Sequence, residues 1–212
     1  IQNLAVDVFG GKVTGEGEFA IADQSYAAHL TANGIDVAAV QSYAGTRMTG
    51  LENLDALAGR AKADVTFSST GADAETFQAG GSMSVAQGAY GALPIDTLSA
   101  SFGVQGRDLT IDYLSAQLPN HSSVGLEGKI VRGEMLDLAF YGGHFDLSLL
   151  ANLDSRIDMQ GFSDFKGTVH GSLANPEVAV DFSANHGKAF RQPFDSLVLK
   201  ASGSLDHIAI DD

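Results

Sequence analysis

The 212-residue chain has no cysteine and no tryptophan, and its 12 basic residues stand against 26 acidic ones. Without cysteine there is no disulfide framework, no thiolate chemistry and no cysteine-based metal site. A formal charge of −14 lacks the Lys/Arg footprint of a nucleic-acid binder. It also gives no attraction to an anionic lipid surface. Charged residues make up only 18% of the chain, against roughly 25% in an ordinary domain. No apolar run reaches the ~18 residues of a membrane span. The chain opens at Ile1 with no signal-peptide pattern, so it reads as a soluble piece of something longer. Long helices alternating with strands are missing, which excludes Rossmann, TIM-barrel and α/β-hydrolase folds. What is present is an apolar content of 44% and 25 glycines. That is enough hydrophobicity to bury a core and to exclude intrinsic disorder.

Self-similarity organises the rest. Leu4-Ala5-Val6-Asp7 returns as Leu109-Thr110-Ile111-Asp112 and again as Ile208-Ala209-Ile210-Asp211, at steps of 105 and 99 residues. Gly34-Ile35-Asp36-Val37 corresponds to His144-Phe145-Asp146-Leu147. Gly59 corresponds to Gly161 and Gly71 to Gly171. Gly88, Pro94, Asp96 and Leu98 match Gly187, Pro193, Asp195 and Leu197 at a constant offset of 99. The expected organisation is a first module at 1–108, a second at 109–207 and the start of a third at 208–212. Such arrays bury each unit against its neighbours and are elongated.

Most segments alternate with period two, the signature of strands with one wet face. Val65 and Phe67 alternate with Asp64, Thr66 and Ser68, and Leu136, Leu138 and Phe140 with Asp137 and Ala139. Val178, Val180 and Phe182 alternate with Ala179 and Asp181, and Leu197, Leu199 and Ala201 with Ser196, Val198 and Lys200. Asp36 and Asp146 are each placed to cap a short helix at equivalent points of the two modules. A third helix is expected from Thr49, with Glu52 at capping-box spacing, Leu51, Leu54 and Leu57 every third residue, and Gly59 as its stop. The predicted fold is therefore all-β with a few short helices.

Signals for chemistry are weak. Phe9-Gly10-Gly11-Lys12 lacks the earlier glycine, the Ser/Thr after lysine and the following helix of a phosphate loop, and reads as a tight turn. The six histidines, His29, His121, His144, His170, His186 and His207, include no pair four residues apart on a helix, and no metal site is expected. Asp154 and Asp158 flank Arg156 without a nucleophile elbow nearby. No catalytic residue and no cofactor are expected. The acids serve to keep an open-edged sheet soluble.

One segment carries a family rhythm. Leu126-Glu127-Gly128, Leu136-Asp137-Leu138, the Asp146–Leu153 turn, Gly161, Gly167, Gly171-Ser172-Leu173-Ala174-Asn175-Pro176 and Asp195-Ser196-Leu197-Val198-Leu199 follow one another. Their spacing and glycine placement resemble the AsmA-like proteins, specifically the TamB-related ones. The resemblance implies a repetitive β-sheet curled into a U-shaped apolar trough, in a periplasmic chain anchored in the inner membrane of a diderm bacterium. It implies phospholipid or another acyl-chain ligand, and an outer-membrane β-barrel assembly partner. The anchor and the partner-binding end have no counterpart in these residues.

A sheet with one apolar face must hide it against another sheet, against helices or around an apolar guest. Periodicity alone leaves two outcomes open, a sandwich or solenoid with interdigitated faces, or a curved trough. The resemblance selects the trough, with Phe19, Ile21, Val65, Phe67, Leu136, Leu138, Phe140, Val178, Val180, Phe182, Leu197 and Leu199 lining it. The alternative function is a surface or secreted β-repeat, either an adhesin stalk or a carbohydrate-binding solenoid. Against it, aromatic platforms are sparse.

Overall fold

The structure is a computed structural model that describes residues 4–45, 57–71, 73–204 and 207–211, with side chains for all but 44–45 and 207–211. Thirteen strands form one sheet in which sequence order is spatial order. They are β1 (Leu4–Val8), β2 (Gly11–Ala20), β3 (Ser25–Asp36), β4 (Leu57–Ser69), β5 (Gln78–Tyr90), β6 (Leu93–Gln105) and β7 (Asp108–Gln117). Then come β8 (Ser123–Val131), β9 (Met135–Asp146), β10 (Met159–Ser172), β11 (Asn175–Ala189), β12 (Gln192–Ser204) and β13 (His207–Asp211). Every neighbouring pair is antiparallel. The fold is all-β, as period-two alternation requires.

Among the described residues helix is confined to short segments between strands. Helix α1 (Val37–Gly45) follows β3, and a 3₁₀ turn at Leu147–Asn152 follows β9. Both start where an aspartate can pair exposed N–H groups. Asp36 Oδ1 accepts from Ala38 N at 3.0 Å, and Asp146 Oδ1 from Ser148 N at 2.9 Å. The expected third helix lies mostly outside the described residues. Its last two markers are described, and Leu57 and Gly59 belong to β4. Gly59 is no helix stop. It has φ +137 at a register shift in the β4–β5 ladder. A glycine with positive φ signals a bulge as readily as a helix end, and sequence spacing does not separate the two.

The repeated positions carry repeated backbone features. The three related tetrapeptides lie in β1, β7 and β13, six strands apart. Gly34 and His144, each just before its capping aspartate, both have positive φ, at +70 and +47. Gly59 faces Gly88 so closely that an added Cβ would come within 3.0 Å of its Cα, and Gly161 faces Gly187 in the same way at 3.0 Å. A side chain at either glycine would crowd the facing strand, at Gly59 the Val85 side chain as well as the Gly88 backbone. Phe9-Gly10 forms the two-residue turn between β1 and β2, both residues at positive φ.

Register shifts interrupt the β3–β4, β4–β5, β6–β7, β7–β8, β9–β10 and β10–β11 ladders. Bulges bend strands and increase their twist, so the sheet is curved. The molecule exposes 13421 Å², whereas a compact monomer of this mass exposes roughly 9300 Å². Such an excess is expected of an open sheet that no second layer covers among the described residues. Fully buried side chains gather at one end of the strands. There Leu147 and Leu149 of the 3₁₀ turn meet Ile95, Ala116, Leu118, Phe145 and Ala184.

Candidate functional site: an apolar sheet face

Antiparallel register brings directly opposed residues to one face and leaves their side chains in contact. One row of partners crosses the whole sheet: Leu4, Gly15, Leu30, Val65, Gly81, Phe102, Ile111, Gly128, Leu138, Val169, Val178, Gly203 and Ile208. The next row on that face runs Val6, Val13, Ala32, Ala63, Met83, Ala100, Leu114, Leu126, Phe140, Gly167, Val180, Ala201 and Ile210. Every position in both rows is apolar or glycine. The result is a band thirteen strands wide that offers no side-chain hydrogen bond.

Eleven of the twelve expected lining residues share this face. Val65, Leu138, Phe140, Val178 and Val180 are in the two rows. Phe67 opposes Ala28 and Ala79, Leu136 opposes Ile130 and Gly171, and Phe182 opposes Phe165 and Leu199. Leu197 opposes Ala184, and Phe19 opposes Tyr26 at the rim. Ile21 is the exception. It falls in the turn between β2 and β3 and is 85% exposed. The alternation that placed it on the wall stops when β2 ends at Ala20. Phe19 is itself 64% exposed and shares a surface hollow with Ile21, Tyr26 and Phe77.

The wall is uneven. Phe182 and Leu197 are packed against the buried cluster, together with Phe165 and Phe194. Elsewhere the face is mostly half-buried or open, with Val85, Ala100 and Leu136 buried and Leu4, Val6 and Val178 exposed. Sequence reading missed Phe165, because Phe165 is followed by Lys166-Gly167 and shows no clean run of alternating large apolar residues. Leu30, Met83 and Leu114 were missed for the same reason, since their neighbours on the face include Ala28, Ala32, Gly81 and Ala116 and form no run of large apolar residues. Only their cross-strand partners reveal the band.

A polar network fixes the buried end. The Asp146 N–H donates to Ser122 Oγ at 2.9 Å, and Asn120 Nδ2 donates to Asp146 Oδ2 at 2.6 Å. Ser122 is fully buried and holds the Leu118 N–H through its carbonyl at 2.8 Å. Burial pushes the Asp146 carboxyl up. Bonds from Ser148 side chain and backbone, from Asn120, and the charge of His144 outweigh it and hold the group below its ordinary value. The equivalent junction after β3 is simpler. The Asp36 N–H donates to the Phe9 carbonyl at 2.8 Å, and Arg60 Nη1 donates to the carbonyls of Gly10 and Gly34 at 3.2 and 2.9 Å.

The opposite face is polar. His29 Nε2 lies 2.9 Å from Asp64 and His170 Nδ1 lies 3.1 Å from Asp137. Asp154, weighed as a catalytic carboxylate, is held below its ordinary value by the Arg156 side chain and N–H. Among the described residues no group of three or more His, Asp or Glu is arranged to hold a metal ion. A cleft of about 1000 Å³ spans β2 to β8, lined by Glu16, Glu18, His29, Thr66, Gln78 and Lys129 among others. Of the twelve expected lining residues it touches only Phe67. This cleft lies mainly on the polar face. A strongly twisted sheet is saddle-shaped, so each face is concave along one diagonal.

No helix among the described residues is long and apolar enough to cross a membrane. No protein family, no curated protein and no solved structure matches this chain.

Proposed function

We propose that this chain is a non-catalytic segment of a periplasmic bridge that conducts phospholipid or another acyl-chain ligand along the apolar face of its sheet. The observation that carries the reading is the apolar band across thirteen strands, over most of which no covering layer lies among the described residues. Burying a methylene against such a wall is worth about 0.8 kcal/mol, so a lipid tail needs no charged anchor. The resemblance to TamB-related proteins supports the cell-envelope setting, inner-membrane anchoring elsewhere in the protein and a barrel partner. An outer-membrane-protein assembly role uses the same face, with an incoming strand pairing at a sheet edge.

The test is lipid retention. The chain is purified in mild detergent and its bound lipid measured by mass spectrometry, for wild type and Val65→Asp. Val65 is on the open part of the wall, unlike Phe182, where a charge would break the buried cluster. Bound phospholipid that falls in a folded Val65→Asp protein supports the conduit. A folded wild type that retains no lipid and takes up none from vesicles refutes it.

A second reading draws on the polar cleft over β2–β8, whose Thr66, Gln78, Gln105 and Thr110 are hydrogen-bonding groups suited to a carbohydrate. It makes the chain a surface or secreted β-repeat, and specific retention on a glycan array would favour it.

A further inference from the structure

The cleft on the polar face has a bare centre. Its middle row runs Thr66, Gly80, Gly103 and Thr110 across β4–β7, and the row beside it runs Ser68, Gln78, Gln105 and Asp108. Every member of both rows lines the cleft of about 1000 Å³. Gly80 and Gly103 oppose each other directly across β5–β6. The fold does not require glycine at either place. Neither residue has positive φ. A Cβ at Gly103 would have nothing within 4 Å, and one at Gly80 would meet only the Phe102 carbonyl at 3.5 Å. At Gly15, Gly81, Gly167 and Gly187, by contrast, a Cβ would collide with a carbonyl of the neighbouring strand.

The expected repeat makes the same point. At the 99-residue offset the pair becomes Ala179 and Ser202, which oppose each other across β11–β12. The equivalent backbone therefore accepts side chains. Glycine inside a strand weakens it, and where neither φ nor crowding demands it, it marks close approach by something outside the sheet.

The groups around this floor are neutral. Thr66, Ser68 and Thr110 supply hydroxyls and Gln78 and Gln105 supply amides, all able to donate and to accept. Thr66 Oγ1 donates to the Gly80 carbonyl at 3.3 Å, which leaves its oxygen able to accept. At the margins Glu16, Glu18 and Asp108 outnumber Lys129, which disfavours an anion. In the second half, His170 and Glu177 oppose each other in the place of Ser68 and Gln78, and His170 Nδ1 lies 3.1 Å from Asp137. Charge there replaces the neutral groups of the first half. A sugar ring has flat C–H faces and a rim of hydroxyls, which matches a floor without side chains ringed by hydroxyls and amides. The two missing side chains open a slot two strand spacings wide, about 10 Å. With no tryptophan in the chain, bare backbone stands in for an aromatic platform.

We infer that the Gly80–Gly103 floor seats a neutral oligosaccharide, whose hydroxyls are held by Thr66, Gln78, Gln105 and Thr110. This rests on the carbohydrate reading of the polar cleft and adds where the sugar sits and which class of glycan fits. It uses the face opposite the apolar band and does not depend on what the band binds.

The test places the 212-residue chain on an array of neutral, anionic and amino-sugar oligosaccharides. The best-retained glycan is then titrated by calorimetry. Neutral glycans should be retained. Gly103→Val should weaken binding roughly tenfold without lowering the unfolding midpoint, since valine suits a strand better than glycine. Gln78→Ala/Gln105→Ala should also weaken binding, with the floor untouched. Ala179→Val, at the equivalent place in the second half, should leave affinity unchanged. Unchanged affinity in folded Gly103→Val, or in Gln78→Ala/Gln105→Ala, overturns the seat while leaving the cleft reading in place. A lowered midpoint for Gly103→Val means that the fold needs this glycine, and overturns the seat equally. Retention of charged glycans alone overturns the neutral class. Folded wild type that retains no glycan removes the carbohydrate reading of the cleft itself.

Discussion

Asp146 makes the sharpest stability prediction. Its carboxylate caps the 3₁₀ turn through Ser148 N at 2.9 Å and accepts from Asn120 at 2.6 Å, in a residue 8% exposed. Asp146→Ala deletes the cap and leaves the Ser148 N–H and the Asn120 amide without their partner. Loss of an N-cap costs about 1 kcal/mol, and loss of a charged hydrogen-bond partner at a buried site about 1.5 kcal/mol or more. The two overlap, so about 2 kcal/mol is expected for the variant, or roughly 4–8 °C in the unfolding midpoint of a chain this size. The carboxyl is held below its ordinary value in the fold. Its contribution is therefore complete above the unfolded-state value near about 4, and disappears as pH falls through the lower folded value. The gap between wild type and Asp146→Ala should be full at neutral pH and shrink progressively below about 4. Asp146→Asn should keep part of the cap and lose the pH dependence of the gap. Thermal unfolding followed by circular dichroism across this range reads both effects. A wild-type midpoint for Asp146→Ala, or a gap that does not change with pH, would refute the assignment of this network as the lock on the buried end.

Two further outcomes follow from the backbone and the rim. Gly59→Ala and Gly161→Ala place a side chain at φ +137 and +113 against Gly88 and Gly187. Each should lower stability by about 1–3 kcal/mol, measured by urea denaturation, whereas Gly133→Ala, with open space around it, should show only the smaller strain of its positive φ. Ile21→Ser should leave the unfolding midpoint within about 0.5 kcal/mol of wild type, since the side chain is 85% exposed. A larger loss would mean that the β2–β3 turn is covered in solution.

The aspartate caps were legible because capping is local. Asp36 and Asp146 act on N–H groups two or three residues away, and sequence distance is enough to see that. The glycines on which the expected repeat was drawn stand out because bulges and close backbone approaches admit no other residue cheaply. Gly59 shows the limit. Its positive φ was foreseeable, but a bulge opposite Gly88 and a helix end look alike until the partner strand is known. The lining residues divide in the same way. Leu136, Leu138 and Phe140 announce themselves by alternation, while Ala63, Met83 and Ala100 do not, because alanine between charged residues, or a single apolar residue between serines, makes no run of large apolar side chains.

By itself the sequence settled which side is apolar for the strands with clean alternation, since side chains alternate strictly along an extended backbone and a run such as Val178, Val180 and Phe182 has only one way to face. It did not settle how those faces line up. Register across twelve antiparallel pairings joins separate stripes into a single band, and only that lateral alignment sets Phe165 beside Phe140 and Ala63 beside Met83. Which stretch of the band is covered, and which side of the sheet opens as a polar cleft, depend on twist and bulges summed over the whole sheet. Those are properties of neighbouring strands acting together, and no single segment of chain contains them.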